Sequence, residues 1–299
     1  MPGLLDEVRA SCAAIAADAR SVRIAPEALE RLVVSEDVPA PTLDPERHFL
    51  EGSELEVATY LLVLDAVNFG SGWFPTLRKR ALPDGSTVSG YFTVAWALAD
   101  RWRAHGSWTN DELRAMRTEE VADVLGQRRD HELMSLYAQA LRELGRFLGD
   151  HTALDLVTVA RGSAERLAEA VVEHMALWDD RGFFKRAQIL AHDLAIAGLA
   201  SFTDLDRLTI FADNLVPHVL RVEGALVLDP ELEARIDREE LLPPGREERE
   251  LRACALHACE LVSARTGVAP RVLDVWLWNR GQAQAVKARP RHRTRCVFY

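Results

Sequence analysis

The run Val272-Leu273-Asp274-Val275-Trp276-Leu277-Trp278-Asn279 sets one carboxylate inside an apolar, aromatic stretch. Desolvating an acid among Val, Leu and Trp is costly, so Asp274 needs either a structural partner or a chemical task. With a helix beginning near Val275, Asp274 would sit at its positive end, where backbone N–H groups and the macrodipole keep a carboxylate ionised. Held in a dry site, such a group stabilises a glycosyl oxocarbenium ion or attacks the anomeric carbon itself. A simple helix cap is the competing reading.

Two further stretches carry chemically useful residues. Leu64 to Pro75 is an apolar helix end that runs into Asn68, Phe69, Gly70, Ser71, Gly72, Trp73 and Phe74. The glycines allow close approach of a ligand, and the aromatics could stack on a planar base; a glycine-stopped helix with core aromatics is the plainer alternative. Ala197 to Asp204, continuing through Leu205 to Pro217, has the shape of a helix, a tight connection and a second helix. There Phe202 could cover a base face, and Asp204 either accepts from the N–H edge of a guanine-like ring or serves as an N-cap. Asp213 and Asn214 precede Pro217, which removes a backbone donor and is expected to bend or end that helix.

Charge narrows the partners. A net charge of −10 is wrong for a protein that tracks polyanionic nucleic acid, where counterion release from phosphates drives binding. A single phosphate is another matter, and the tail Arg289-Pro290-Arg291-His292-Arg293-Thr294-Arg295 is the densest cationic cluster. Lysine occurs only at positions 79, 185 and 287, so Lys185 within Gly182-Phe183-Phe184-Lys185-Arg186 stands out among arginines. Cys12, Cys254, Cys259 and Cys296 show neither paired nor metal-binding spacing, and the opening residues lack a charged-then-apolar leader pattern. The expectation is a reduced, cytosolic setting with no metal and no cofactor. The apolar run 57–69 is too short and contains Asp65, so no membrane span is expected.

The elements that must position these residues read as helical. Apolar residues recur at three- and four-residue steps through 4–19, 54–67, 88–103, 132–148, 164–177, 187–199, 205–216 and 247–264. Ser53-Glu54-Leu55-Glu56 and Thr109-Asn110-Asp111-Glu112 resemble capping sequences. The fold class is all-α, an irregular helical bundle with one small hairpin around Pro83-Asp84-Gly85-Ser86. Without a long linker, residues 1–299 read as one compact unit, at most bilobal. Disorder is expected only at the first residues and in the Pro/Glu/Arg-rich patch 241–250.

Taken together and in order, His48-Phe49, the segment 60–69, Phe202-Thr203-Asp204, Phe211-Ala212-Asp213, Leu273 to Trp278, and Pro290-Arg291-His292-Arg293-Thr294 with Tyr299 resemble the queuosine salvage protein family. That family comprises queuosine 5′-phosphate N-glycosylases/hydrolases, and the resemblance spans about His48 to the C-terminus. It implies a fold akin to helix–hairpin–helix DNA glycosylases, acting on a free modified nucleotide, queuosine 5′-monophosphate, to release queuine for tRNA modification. The resemblance implies Asp274 as the catalytic carboxylate and Asp204 as reader of the guanine-like edge. Phe202 and Phe69 would sandwich the ring, with Trp278 in the same site. His48, Asn68 or Asp213 would hold sugar hydroxyls or the cationic side arm, and Lys185, Arg186, His292 or Arg293 the 5′-phosphate. Two departures stand out: no lysine nucleophile follows the expected hairpin, and Gly198-Leu199-Ala200-Ser201 offers a single glycine where the hairpin signature is glycine-rich. A helix–hairpin–helix repair glycosylase and a non-catalytic helical nucleotide-binding module are the rival readings; oligomeric state is not legible.

Overall fold

The computed structural model describes residues 3–32 and 38–299. Met1 and Pro2, where disorder was expected, lie outside the described residues. Among those described, fifteen α-helices and one two-stranded sheet make a mostly helical protein, as the periodicity predicts.

The central element is the helix Glu54–Ala66. Ser53 and Glu56 close a reciprocal capping box at its start, and every residue from Val57 to Ala66 is buried. A helix apolar all round belongs in the interior, with neighbours on every side. Gly90–His105, Glu132–Leu148 and Lys185–Ile196 supply them. The last two bring contrasting faces: Glu132–Leu148 is strongly amphipathic and stops at Gly149, whose φ of 56° suits glycine. Lys185–Ile196 instead buries Lys185, Arg186, Gln188, His192 and Asp193 along with its apolar residues. One apolar cluster runs from Leu4 to Val286 through all of these.

A second layer forms around Arg246–Thr266, which packs along Leu4–Asp18. Strands β1 (Val22–Ile24) and β2 (Leu226–Leu228) pair antiparallel, Val22 opposite Leu228 and Ile24 opposite Leu226, beside that helix. This sheet was not legible in the sequence. The small hairpin at Asp84-Gly85 is present as a tight turn closed by an Ala81–Thr87 bridge.

Three expectations are corrected. The helix foreseen over 205–216 is a single 3-10 turn, Leu205–Arg207, followed by extended chain; the next helix is Leu215–Val222. Pro217 therefore sits in the first turn of that helix, where no intrahelical N–H is required, and neither bends nor ends one. The second helix of the expected helix–hairpin–helix is thus missing. The patch 241–250 is ordered: Leu242 is buried, its N–H bonds Arg293 O at 2.9 Å, and Arg246 opens a helix.

The C-terminal tail is clamped across the helix ends by two buried arginines. Arg186 donates to Ala66 O at 2.6 Å, a carbonyl orphaned at the end of Glu54–Ala66, and also to Val297 O of the tail at 3.0 Å and to Leu177 O. Arg252 pairs with Asp180 at 3.0 Å and Glu248 at 3.2 Å, and lies 4.6 Å over the Tyr299 ring. The N–H of Gly70 donates to Tyr299 O at 2.8 Å. Gly72 permits this closeness, since a Cβ there would lie 2.4 Å from Thr294 O.

Candidate functional site

Asp274 lies in the helix Pro270–Arg280, whose N-cap is Ala269. The expected start at Val275 is therefore wrong by more than a turn: Pro270 occupies the first turn, and Asp274 sits beyond it. The consequence is electrostatic. Instead of being held ionised by a helix end, its carboxyl is pushed up to about 7 by burial, with Asp213 adding to the rise; the Phe211 N–H and Lys185 pull the other way. One oxygen accepts that N–H at 2.8 Å, and the other has no hydrogen-bond partner among the described residues. A buried carboxylate with one oxygen anchored and one open is available for a ligand.

Lys185 begins the helix Lys185–Ile196, following Phe184 in the left-handed region at φ 47°. Its ammonium donates to Asn68 O at 3.0 Å and Asn68 Oδ1 at 3.2 Å. Burial lowers its pKa, and Asp213 and Asp65 oppose that fall. The two segments singled out separately in the sequence, 64–75 and 182–186, thus meet at one hydrogen-bonded pair.

Around that pair stand carboxyls the sequence reading did not single out as site residues. Asp65, at the end of the core helix, is pushed up to about 7 by burial, against an Asn68 Nδ2 contact at 3.4 Å. Asp193 is raised well above its usual value by burial and by Asp65, with Lys185 opposing, and its carboxyl oxygens accept no hydrogen bond among the described residues. The signal was there: Asp193 in Leu190-Ala191-His192-Asp193-Leu194 and Asp65 in Leu64-Asp65-Ala66 are, like Asp274, carboxylates inside apolar runs. His192 beside it is buried, and both its ring nitrogens lack partners; burial lowers it to about 4, so the ring is neutral.

His48 is buried, bonded to Asp44 O at 2.9 Å and to the Tyr91 hydroxyl at 3.0 Å. Burial lowers its pKa. Tyr91 in turn is raised by burial and then by Asp193, which ties this pair to the same carboxyl group. Trp278, half-buried, meets the Phe92 ring edge-on with centroids 5.6 Å apart. Asp213 accepts from Leu215 N at 2.7 Å and Val216 N at 3.2 Å, starting the helix Leu215–Val222 while its charge reaches Asp274 and Lys185.

Other predicted residues are spoken for elsewhere. Asp204 accepts from Ser163 Oγ and Ala164 N, both at 2.7 Å, and from Glu165 N at 3.3 Å. Burial alone would raise its carboxyl, but these three donors hold it below the usual range. It caps the helix Ala164–His174, some forty residues earlier in the chain, so both of its oxygens are committed and the base-reading role is withdrawn. Phe202 is buried in the apolar cluster, in the loop that Thr203 N pins to Gly162 O at 2.9 Å. Phe69 is 1% exposed, its ring edge-on to Tyr137 at 5.0 Å and beneath the Arg186 guanidinium at 4.9 Å. No face of Phe69 is left for a base, and Arg186 itself is spent on carbonyls. His292 is buried, and burial lowers it to about 3, so it offers no positive charge. Arg293 donates to Glu239 O at 2.6 Å, on the 239–242 segment.

Two open surface grooves, about 640 and 700 Å³, lie elsewhere, one along β1 and β2 and one beside Arg78 to Arg80. Neither is lined by any residue of the carboxyl–lysine cluster, and the chemistry marks the cluster as the candidate site. Its members are Asp65, Asn68, Lys185, Asp193, Asp213 and Asp274, with Tyr91, His48 and Trp278 adjoining. No helix among the described residues is long and apolar enough to cross a membrane.

Fold and site together define a mostly helical protein with a cluster of carboxyls around one buried lysine. A family model described as queuosine salvage protein matches residues 48–299. The chain belongs to that family. It is 35% identical over 284 residues to a Sphaerobacter thermophilus protein named queuosine 5′-phosphate N-glycosylase/hydrolase, covering 88% of this chain and 87% of the relative. Relatives of the same name from Dictyostelium discoideum and Bos taurus are each 29% identical, over 81% and 83% of this chain and 78% and 83% of theirs.

Proposed function

We propose that the protein hydrolyses the N-glycosidic bond of queuosine 5′-monophosphate, releasing queuine, and that Asp274 is its catalytic carboxylate. Family membership and the names of the relatives supply the substrate. The observation that carries the chemistry is the Asp274 carboxyl, buried, anchored through one oxygen by Phe211 N–H and without a hydrogen-bond partner at the other among the described residues.

The substrate makes the chemistry demanding. A 7-deazaguanine base lacks the N7 that purine glycosidases protonate, so the bond from C1′ to the base breaks with little help from the leaving group. The electron pair leaves with the base, C1′ becomes cationic, water adds there, and protons are redistributed to base and solvent. The ionised Asp274 oxygen stabilises that cation or adds to it first, and its interaction strengthens as charge develops. Lys185, held on Asn68, favours the ionised state of Asp274 at neutral pH.

Trp278, with Phe92 against it, takes the stacking role first given to Phe69. A cationic side arm bound beside Asp65 and Asp193 would favour the ionised forms that burial disfavours, and His48–Tyr91, Asn68 and Asp213 are placed for hydroxyls. A free nucleotide, rather than nucleic acid, fits the net charge of −10. The test is direct: purified protein is incubated with queuosine 5′-monophosphate and free base is sought by mass. Release of queuine supports the reading, and an unchanged nucleotide after prolonged incubation refutes it.

A further inference from the structure

Building on the reading of a 5′-phosphorylated substrate, we propose that Arg291 is the residue that holds the substrate's phosphate and sets the preference for nucleotide over nucleoside.

The cations near the cluster can be sorted by what they already touch. Arg186 is spent on backbone carbonyls. Lys185 is held by Asn68. Arg221 is bound to Glu233 at 3.0 Å and Asp237 at 2.6 Å, and Arg271 to Asp206 at 2.7 Å. Within the tail, Arg289 faces Glu233 at 3.7 Å, Arg293 donates to Glu239 O at 2.6 Å, and Arg295 meets Glu132 at 3.2 Å. Arg291 alone of this set is half-buried and makes no hydrogen bond or ion pair among the described residues. A guanidinium withdrawn from water without a partner is unfavourable, and a ligand anion is what would satisfy it.

Its position is fixed from both sides. Pro290 O accepts from Arg221 Nη1 at 3.1 Å, and His292 O accepts from Asn214 Nδ2 at 3.1 Å. The intervening residue is therefore held by the same 213–222 segment that places Asp213. Arg291 also belongs electrostatically to the site: burial lowers its pKa, and Asp213, whose charge reaches Asp274, is the first group opposing that fall. In an acidic protein, one unpaired guanidinium beside a carboxylate cluster separates the two ends of a ribose 5-phosphate. The sugar cation faces the acids, and the phosphate faces the arginine fork in a bidentate contact.

The experiment compares the full-length protein with Arg291→Met and Arg291→Lys on queuosine 5′-monophosphate and on queuosine. Losing a charge-assisted contact predicts that Arg291→Met lowers the nucleotide-to-nucleoside ratio of kcat/KM about 10- to 100-fold, mainly through KM, and that Arg291→Lys keeps part of it. An Arg291→Met enzyme with the wild-type ratio overturns the proposal, as does a variant that slows both substrates equally. Calorimetry keeps this distinct from the hydrolase reading. Wild type should bind ribose 5-phosphate more tightly than ribose, and Arg291→Met should lose the difference while still binding queuine. Base release absent from both substrates would refute the hydrolase; equal affinity of Arg291→Met and wild type for ribose 5-phosphate would refute the phosphate site.

Discussion

Replacing Asp274 by asparagine should make the protein more stable at alkaline pH while removing its activity. The carboxyl is raised from 3.8 to about 7 in the folded chain, about three units. Each unit corresponds to about 1.4 kcal/mol, so keeping this group ionised inside the fold costs on the order of 4 kcal/mol above pH 7. The sign follows from proton uptake: between 3.8 and about 7 the folded state binds the proton that the unfolded state has lost, so stability falls as pH rises through that window. Asparagine keeps an oxygen for the Phe211 N–H and has no charge to desolvate. Thermal melts of both proteins should therefore show a gain of several degrees for Asp274→Asn at pH 8, and a gain smaller by about 2 kcal/mol at pH 5.5. In parallel, kcat on queuosine 5′-monophosphate should drop by at least about 100-fold. Equal destabilisation at both pH values would mean that the carboxylate supports the fold and is not a strained reactive group.

Other consequences can be checked with single variants and rate profiles. The wild-type kcat should fall on the acid side with an apparent pKa near 7 as Asp274 takes up its proton; a rate flat from pH 5 to 8 argues against an ionised carboxylate. Lys185→Met should shift that limb to higher pH, because Lys185 favours the ionised form of Asp274, and an unmoved limb would separate the two residues. Asp204→Ala should cost about 1–2 kcal/mol of stability through the lost cap, seen in urea unfolding, with kcat/KM unchanged. A large loss of queuine affinity would restore its base-reading role. Gly72→Ala should push the tail off Thr294 and lower both the melting temperature and activity, and wild-type values for both would show the tail is not needed.

What the sequence made legible was set by local rules. Ser53 and Glu56 marked the start of Glu54–Ala66, and apolar spacing bounded Glu132–Leu148 at the residues observed. The same rule failed over 205–216, because Leu208, Ile210 and Phe211 are buried as extended chain against the core, and burial alone does not separate a helix from a packed strand-like segment. Asp204 was recognised as a cap candidate, but its helix lies forty residues upstream, a pairing that no local pattern encodes. Asp274 was found because a carboxylate in an apolar run is conspicuous. Its electrostatic state was misread because the helix start was misplaced. Asp193 and Asp65 carry the same signature, yet only tertiary packing reveals that they share one lysine with Asp274. Arg291 was hidden among four tail arginines until their partners could be sorted.

The most direct measurement is a crystal structure of Asp274→Asn with queuosine 5′-monophosphate bound. A residue 274 side-chain atom about 3–3.5 Å from C1′, in reach of attack, is the predicted result. A sugar bound away from residue 274, with that side chain turned only toward Phe211, would contradict the central claim.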